Sequence, residues 1–288
     1  DAAMNDLQPR SFLHNQADPY AIILGTNEIA SAIAVRLCWE RFRVVLSHDP
    51  FPPVIRRGMA FHDALFDDQV AVDGVVGQRA ETALEIIDAL ALRGRAAVTH
   101  LQLTDLITLR APVAVIDARL QKHRVTPDLR GVARLAIGVG PKFAVGENCD
   151  IAIETHPAKT GALLDAGETR DADGVARALG GVGKERFVYS ARPGVWRTPL
   201  DIGAQVFKGF VLGHLDSQPV KAPMDGFLRG IARDGVAAPA EVKLVEIDPR
   251  GRAACWTGTD ERGRAIAEAV MAAMARAPIS PLLVPFQL

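Results

Sequence analysis

Tyr20-Ala-Ile-Ile-Leu24 is an unbroken apolar run of strand length, and Gly25 follows it at once. A strand that is apolar at every position must be covered on both faces, which places it inside a parallel sheet flanked by helices. The next residues put Ile29, Ile33 and Leu37 on one helical face, with Ala30 and Ala34 beside them. Small side chains let such a face lie close against a sheet. Arg43-Val-Val-Leu-Ser47 reads as a second strand, ending at His48-Asp49. Strand, glycine turn, small-faced helix, strand and acid together open a doubly wound α/β domain. Ala96-Ala-Val-Thr99, Val113-Ala-Val-Ile116, Leu135-Ala-Ile137 and Ile151-Ala-Ile153 read as further buried strands, with a helix over 80–92. Strands alternating with helices predict parallel pairing and a layered core.

The second half reads differently. Residues 157–183 are polar and glycine-rich, a loop with one short helix near Gly174 to Leu179. One phrase then occurs twice: a polar turn with glycine, a valine, and a short alternating strand. Gly203-Ala-Gln-Val206 is echoed by Asp234-Gly235-Val236, and Val211-Leu-Gly-His-Leu215 by Lys243-Leu-Val-Glu-Ile247. Ala222-Pro-Met-Asp-Gly226 opens the second copy. The duplication resembles the small barrel-sandwich domain of biotinyl and lipoyl carriers. The turn expected to bear the carrier lysine is Leu215-Asp-Ser-Gln-Pro219, which has none, and Lys221 falls in expected strand. The resemblance thus implies a docking or structural module without covalent biotin or lipoate. A final helix is expected over 259–277, with Asp260 as cap, Ile266, Val270 and Met274 as a stripe, and Pro278 as stop. The expected organisation is a disordered tail or expression remnant over 1–17 and a Rossmann-like parallel-sheet domain over 18–186. A barrel-sandwich hybrid follows over 187–252, and a C-terminal helix and tail over 253–288 pack back on the first domain.

The chain of 288 residues is long enough for two domains, and 49% hydrophobic content can build their cores. A net charge of −1 supplies no field for nucleic acid or an anionic membrane, and 6% aromatic content is thin for base stacking. Cys38, Cys149 and Cys255 lie far apart and form no Cys-x-x-Cys pair, so a zinc knuckle and a thioredoxin-type site are not supported. An odd cysteine count without a signal-peptide core predicts a reducing cytoplasm, and no apolar run is long enough to span a bilayer. Two docked units and a long helix suggest a homodimer.

Gly25-Thr-Asn-Glu-Ile-Ala30 stands where a dinucleotide fingerprint would stand, with Asp49 at the distance of a ribose-binding acid. Asn27 occupies the position of the second glycine, where a side chain blocks the pyrophosphate, and Glu28 adds unfavourable charge. A Rossmann-like frame without NAD is favoured. Arg56 and Arg57, on a stiff proline-led segment, form either a fork for phosphate or carboxylate or a solvated charged turn. The loop Gly138-Val-Gly140-Pro-Lys142, continuing to Gly146 and Asn148, follows a strand and offers backbone N–H groups to an anion. Asp117, Lys122 and His123 follow one strand, and Glu154 and His156 follow another. They are either an acid–base set or loop charges. The seven histidines include no pair at metal-ligand spacing, and neither a nucleophile elbow nor a P-loop occurs.

Taken in order, these motifs resemble the accessory proteins of selenium-dependent molybdenum hydroxylases, also described as xanthine dehydrogenase accessory or selenium-dependent molybdenum cofactor biosynthesis proteins. The resemblance runs from about Tyr20 to Met274. It is carried by Pro53-Val-Ile-Arg-Arg57, Phe61-His-Asp-Ala-Leu65 and Ile116-Asp-Ala-Arg-Leu-Gln-Lys122. Gly138 through Gly140-Pro-Lys-Phe143, Gly146, Asn148, Asp150 and Ile153-Glu-Thr155 extend it, as do Pro219 through Gly230 and Asp248-Pro-Arg-Gly251. It implies an accessory protein of pterin-cofactor metabolism that binds a phosphorylated pterin or nucleotide at the strand ends. Gly25, Asn27, Arg56, Arg57 and the Gly138–Asn148 loop would hold the ligand, Asp117, Lys122 and Glu154 would add polar contacts, and the small β module would dock a client enzyme subunit. The chain departs from the family pattern at Gly25-Thr-Asn-Glu28 and Ala158-Lys-Thr-Gly-Ala162. These departures suggest a branch with an altered task, similar to proteins associated with tetrahydromethanopterin-dependent one-carbon metabolism. Two other readings stay open: an enzyme of tetrahydromethanopterin biosynthesis using Asp117 or Glu154 for acid–base work, and a non-catalytic scaffold.

Overall fold

A computed structural model describes residues 18–122 and 124–276. The expected N-terminal tail, His123 and Pro278 lie outside the described residues. Nine strands form one sheet: β1 (Tyr20–Leu24), β2 (Arg43–Ser47), β3 (Gln69–Val72), β4 (Val75–Arg79), β5 (Arg95–Thr99), β6 (Ala114–Asp117), β7 (Leu135–Val139), β8 (Ile151–Ile153) and β9 (Leu163–Leu164). Their order is β3-β4-β5-β2-β1-β6-β7-β8-β9. The helices are α1 (Glu28–Trp39), α2 (Ala64–Asp67), α3 (Ala83–Ala91), α4 (Leu103–Leu109) and α5 (Glu261–Arg276). Alternation along β1 sends Tyr20, Ile22 and Leu24 into a core with Ile86, Leu90 and Leu106 of α3 and α4. Ala21 and Ile23 face the opposite core, shared with Ile29 and Ile33 of α1 and Ile266 and Val270 of α5. Close packing of α1 on α5 depends on a glycine, since a Cβ at Gly263 would stand 2.9 Å from the Ala32 Cβ.

The expected fold class is corrected in both halves. The large sheet is mixed, not the parallel sheet of a Rossmann-like domain. Parallel pairing runs from β4 to β8, but β3 is antiparallel to β4 and β9 is antiparallel to β8. The cause at one edge is local: Asp73-Gly74 joins β3 directly to β4, with positive φ at both residues, and a connection this short permits only a hairpin. In place of the small barrel-sandwich stand two four-stranded antiparallel sheets, built from β10 (Phe187–Tyr189), β11 (Gly194–Arg197), β12 (Gln205–Val206), β13 (Val211–Leu215), β14 (Gln218–Lys221), β15 (Gly226–Ile231), β16 (Ala237–Ala238) and β17 (Lys243–Asp248). Their orders are β10-β17-β15-β12 and β14-β13-β11-β16. The duplicated phrase is divided between them, because β12 pairs with β15 and β16 with β11. The region over 170–178 carries no helix. Val175 N–H donates to the Asp173 side chain and Gly174 takes φ +76°, a conformation that interrupts a helix.

Both parts of the molecule are joined at residues 55–57. Ile55 packs in the core of the antiparallel sheets with Trp196, Leu228 and Ile231, and its carbonyl accepts from Ile231 N–H at 2.8 Å. The arginines that follow are thereby carried into the interior. Arg56 and Arg57 are both buried.

A cationic cavity between the large sheet and the antiparallel sheets

The strand ends of the large sheet and the β10–β17 edge of one antiparallel sheet line a cavity of about 630 Å³. Asn27 and Glu28 come from the start of α1, residues 51–56 from the connection after β2, and residues 119–122 and 124 from the connection after β6. Glu154, Thr155 and His156 follow β8, while Phe187, Tyr189 and Lys243 come from β10 and β17. Arg262 reaches it from the first turn of α5. Nine Lys and Arg side chains line the cavity against five Asp and Glu side chains. A wall this size and this charged suits an anionic small molecule, since ligand cavities commonly span about 300–1,000 Å³.

The expected site residues divide into two groups. Asn27, Arg56, Lys122, Glu154 and His156 line the cavity. Asn27 accepts from Ile29 and Ala30 N–H at 3.0 Å and donates to the Ala118 carbonyl at 2.8 Å. The helix N-terminus that could have met a pyrophosphate is therefore filled by its own cap. Glu154 accepts from the N–H groups of Thr155, His156 and Arg170, so its carboxylate ties down the loops around it. His156 Nδ1 accepts from Ala158 N–H at 3.2 Å. That leaves Nε2 as the protonated nitrogen, which faces Asp173 at 2.8 Å.

Gly25, Arg57, Asp117, Gly138, Gly140, Lys142, Gly146 and Asn148 do not line the cavity. Gly25 has φ +109°, and a Cβ there would stand 3.1 Å from the Ala118 carbonyl oxygen, so the backbone itself requires glycine. The expected phosphate loop closes on itself instead. Asn148 accepts from Ala144 N–H and donates to the Lys142 carbonyl, and Lys142 is exposed. Of this loop, Pro141 reaches the cavity. Gly138 is needed for packing, because a Cβ would come within 2.1 Å of the Phe143 ring. Gly140 lies against the Leu120 side chain, and Gly146 lies at the exposed turn beyond. Asp117 is held by Arg119 in a two-bond pair of 2.9 and 2.6 Å. Asp49 accepts from Phe51 N–H and has Arg119 and Arg124 within 3.8 Å.

The two adjacent arginines are neither a free fork nor a solvated turn. Arg56 donates to Glu246 at 2.6 and 3.1 Å and to Glu28 at 3.1 Å. Burial opposes its charge, but Glu246 and Glu28 outweigh that and raise its pKa. Arg57 donates to the Ile231 carbonyl at 2.8 Å, to Asp63 at 2.6 Å and to Asp201 at 2.5 Å. These guanidinium groups join the two parts of the fold, and their charge is already matched.

Two cavity cations that sequence reading did not single out are different. Lys243 has its Nζ 4.0 Å from the centre of the Phe187 ring and has no hydrogen-bond or ion-pair partner among the described residues. Burial, reinforced by Arg56, pushes its amine down to about 8. Arg262 makes one long hydrogen bond, 3.4 Å to the Thr155 carbonyl, and no ion pair among the described residues. Burial lowers its pKa against the pull of Glu28. Lys243 lies among apolar residues of an alternating strand, and Arg262 opens an amphipathic helix. Neither sits in a local motif that could have marked it.

A second polar cluster lies outside the cavity lining. Thr26 Oγ1 bridges His48 Nδ1 at 3.1 Å and His62 Nδ1 at 3.0 Å, and the His100 ring lies 5.3 Å from that of His48. Among the described residues no group of three His, Cys, Asp or Glu could hold a metal ion. Also among them, no helix is long and apolar enough to cross a membrane.

Comparison with known proteins adds little chemistry. No family model matches the chain. The uncharacterized protein YqeB of Escherichia coli (strain K12) is 30% identical over 262 residues, covering 91% of this chain and 48% of YqeB. The chain thus spans about half the length of the curated relative it matches. Among solved structures, the crystal structure of an aspartoacylase family protein from Mesorhizobium loti aligns over 80% of this chain and 86% of that one. Its sequence identity is 14% and its TM-score 0.25, at which neither fold nor function is inferred.

Proposed function

We propose that this protein is a cytosolic accessory protein of pterin-cofactor metabolism, of the kind that serves molybdenum hydroxylase maturation, and that it binds a phosphorylated pterin or nucleotide in the cationic cavity. The observation that carries the reading is the excess of cations on the cavity wall, nine against five, with Arg262 and Lys243 unmatched by carboxylates. Burying a charge costs free energy unless it is paired. Lys243 and Arg262 are each half-buried without an ion pair and face one cavity, where an anion would complete them. Tyr189, half-buried on the cavity wall, adds aromatic surface for a flat heterocycle. Arg262 supplies a planar fork for phosphate oxygens.

The test is calorimetric titration of the full chain with a hydroxymethylpterin, its phosphate, and nucleoside mono- and diphosphates. The phosphorylated forms are expected to bind more tightly than the bare pterin, with affinity falling as salt is raised. Arg262→Gln is expected to weaken the phosphate form by about 1.5–3 kcal/mol, the worth of a hydrogen bond to a charged group. Equal affinity for the bare and phosphorylated pterin, unchanged in Arg262→Gln, would rule the reading out.

A further inference from the structure

Lys243 differs from every other cation described in the cavity's inner charge cluster. Arg56 and Arg186 both donate to Glu246, at 2.6 and 3.1 Å. Lys243 sits beside them without a partner, its Nζ resting on the face of Phe187. The residues that follow it, Leu244 and Val245, are fully buried in the core, which fixes the base of the side chain. An ammonium kept for stability would be ion-paired, and an ammonium kept for solubility would reach water. This one is half-buried, makes no ion pair, and faces a space large enough for a small molecule.

We propose that Lys243 is a nucleophilic amine that condenses with the carbonyl carbon of a small anionic aldehyde or 2-oxo acid held in this cavity. The inference rests on the reading of the cavity as an anion site, with Arg262 facing the substrate's carboxylate or phosphate. In the reaction the neutral Nζ adds to the carbonyl carbon, and the carbonyl oxygen takes up a proton to give a carbinolamine. The nitrogen then gives up its proton, the hydroxyl leaves as water, and a C=N bond joins Lys243 to the substrate. One C=O bond is broken, one water is released, and no electrons are exchanged. Two features favour the amine over the ammonium. Burial on the cavity wall and repulsion from Arg56 and Lys122 outweigh the pull of Glu246, Glu28 and the Phe187 face, all of which hold the ammonium. With the amine pushed down to about 8, a usable neutral fraction exists in mildly alkaline solution.

The test is reductive trapping. The full chain is incubated with glyoxylate and cyanoborohydride, and the adduct is located by intact mass and peptide mapping. The expected result is one adduct on Lys243, lost in Lys243→Gln, slowed in Arg262→Gln, and suppressed by inorganic phosphate competing for the cavity. Labelling spread over Lys142, Lys208 and Lys221, with Lys243 no faster than these exposed lysines, would overturn the proposal. The map is made on the unsubstituted chain, so it decides the matter whether or not the variants fold. Parallel calorimetry with the phosphorylated pterin separates the two ideas. Binding without a Lys243 adduct leaves the proposed function and removes the imine. A Lys243 adduct without pterin binding keeps the imine and removes the proposed ligand.

Discussion

Glu246 has no exposed surface, yet its carboxylate accepts from Arg56 and Arg186 and has Arg229 at 3.7 Å. Burial would raise its pKa, but Arg56 and Arg229 outweigh that and hold the carboxyl below its ordinary value. Replacing it by Gln leaves the buried Arg186 without a carboxylate and Arg56 and Arg229 with only their outer partners, Glu28 and Asp260. Glu246→Gln is expected to cost about 3–5 kcal/mol, read from urea unfolding at neutral pH. A depressed carboxylate pKa stabilises the fold above the unfolded value, near 4.5, and that contribution is lost as pH falls toward the folded value. His48 and His62 act at higher pH. Burial brings His48 down to about 4 and His62 to about 3, whereas the unfolded chain takes up protons near 6.5. Between about 6.5 and 4 the unfolded state therefore binds more protons, and stability falls with acidification in that window. His62→Gln is expected to flatten the slope of unfolding free energy against pH there, and an unchanged slope would show that His62 is not a cause. Gly138 belongs to the same scale. With a Cβ 2.1 Å from the Phe143 ring, Gly138→Ala is expected to cost about 1–3 kcal/mol, and Phe143→Leu in the same chain to return part of it.

At the scale of elements, much of the large sheet is legible because its inner strands carry apolar runs, unbroken in β1 and flanked by polar ends in β2 and β5. Tyr20–Leu24, Arg43–Ser47 and Ile151–Ile153 could be read directly from the residues. The edges were harder. β9 has two residues, too few to show any period, and β3 has four, three of them at least partly exposed. The Asp73-Gly74 turn signal was nevertheless present and marks the hairpin. The division of the duplicated phrase between two sheets was not legible, because partner choice between similar strands is decided by the whole assembly. Site residues follow the same rule. Asn27, Lys122, Glu154 and His156 sit next to recognisable strand ends, and they line the cavity. Lys243 and Arg262 arrive from distant parts of the chain and carry no local signal. Asn27 was read for what it denies a dinucleotide, and its positive task is the cap of α1. Asn27→Ala is expected to cost about 0.5–2 kcal/mol in thermal or urea unfolding. A near-zero cost would mean that the donation to Ala118 and the cap contribute nothing net.

At the scale of the molecule, the three residues Ile55, Arg56 and Arg57 belong to both parts of the fold at once. Ile55 is counted in the core of the antiparallel sheets although it comes from the connection after β2. Arg56 reaches Glu246 of β17, and Arg57 links Asp63 beside α2 to Asp201 and to the Ile231 carbonyl of β15. Arg229 of β15 makes the return contact, at 3.0 Å to Asp260 before α5. The cavity lies along this junction, so its shape depends on the two parts staying together. Unfolding should accordingly be a single event in which Trp196, fully buried in the antiparallel core, reports the same urea midpoint as the far-ultraviolet signal of the helices. Ile55→Ala removes apolar contact from the smaller core at the point of attachment, at a cost of about 2–5 kcal/mol. Because the deleted contacts are those that couple the parts, the tryptophan midpoint is expected to drop further than the helical one, so that the two curves separate. Under the proposed function, affinity for the phosphorylated pterin should weaken in the same variant, although Ile55 bears no charge. Coincident curves in Ile55→Ala, with the whole transition simply displaced to lower urea, would show that the arginine pairs alone are sufficient to keep the two parts in one cooperative unit.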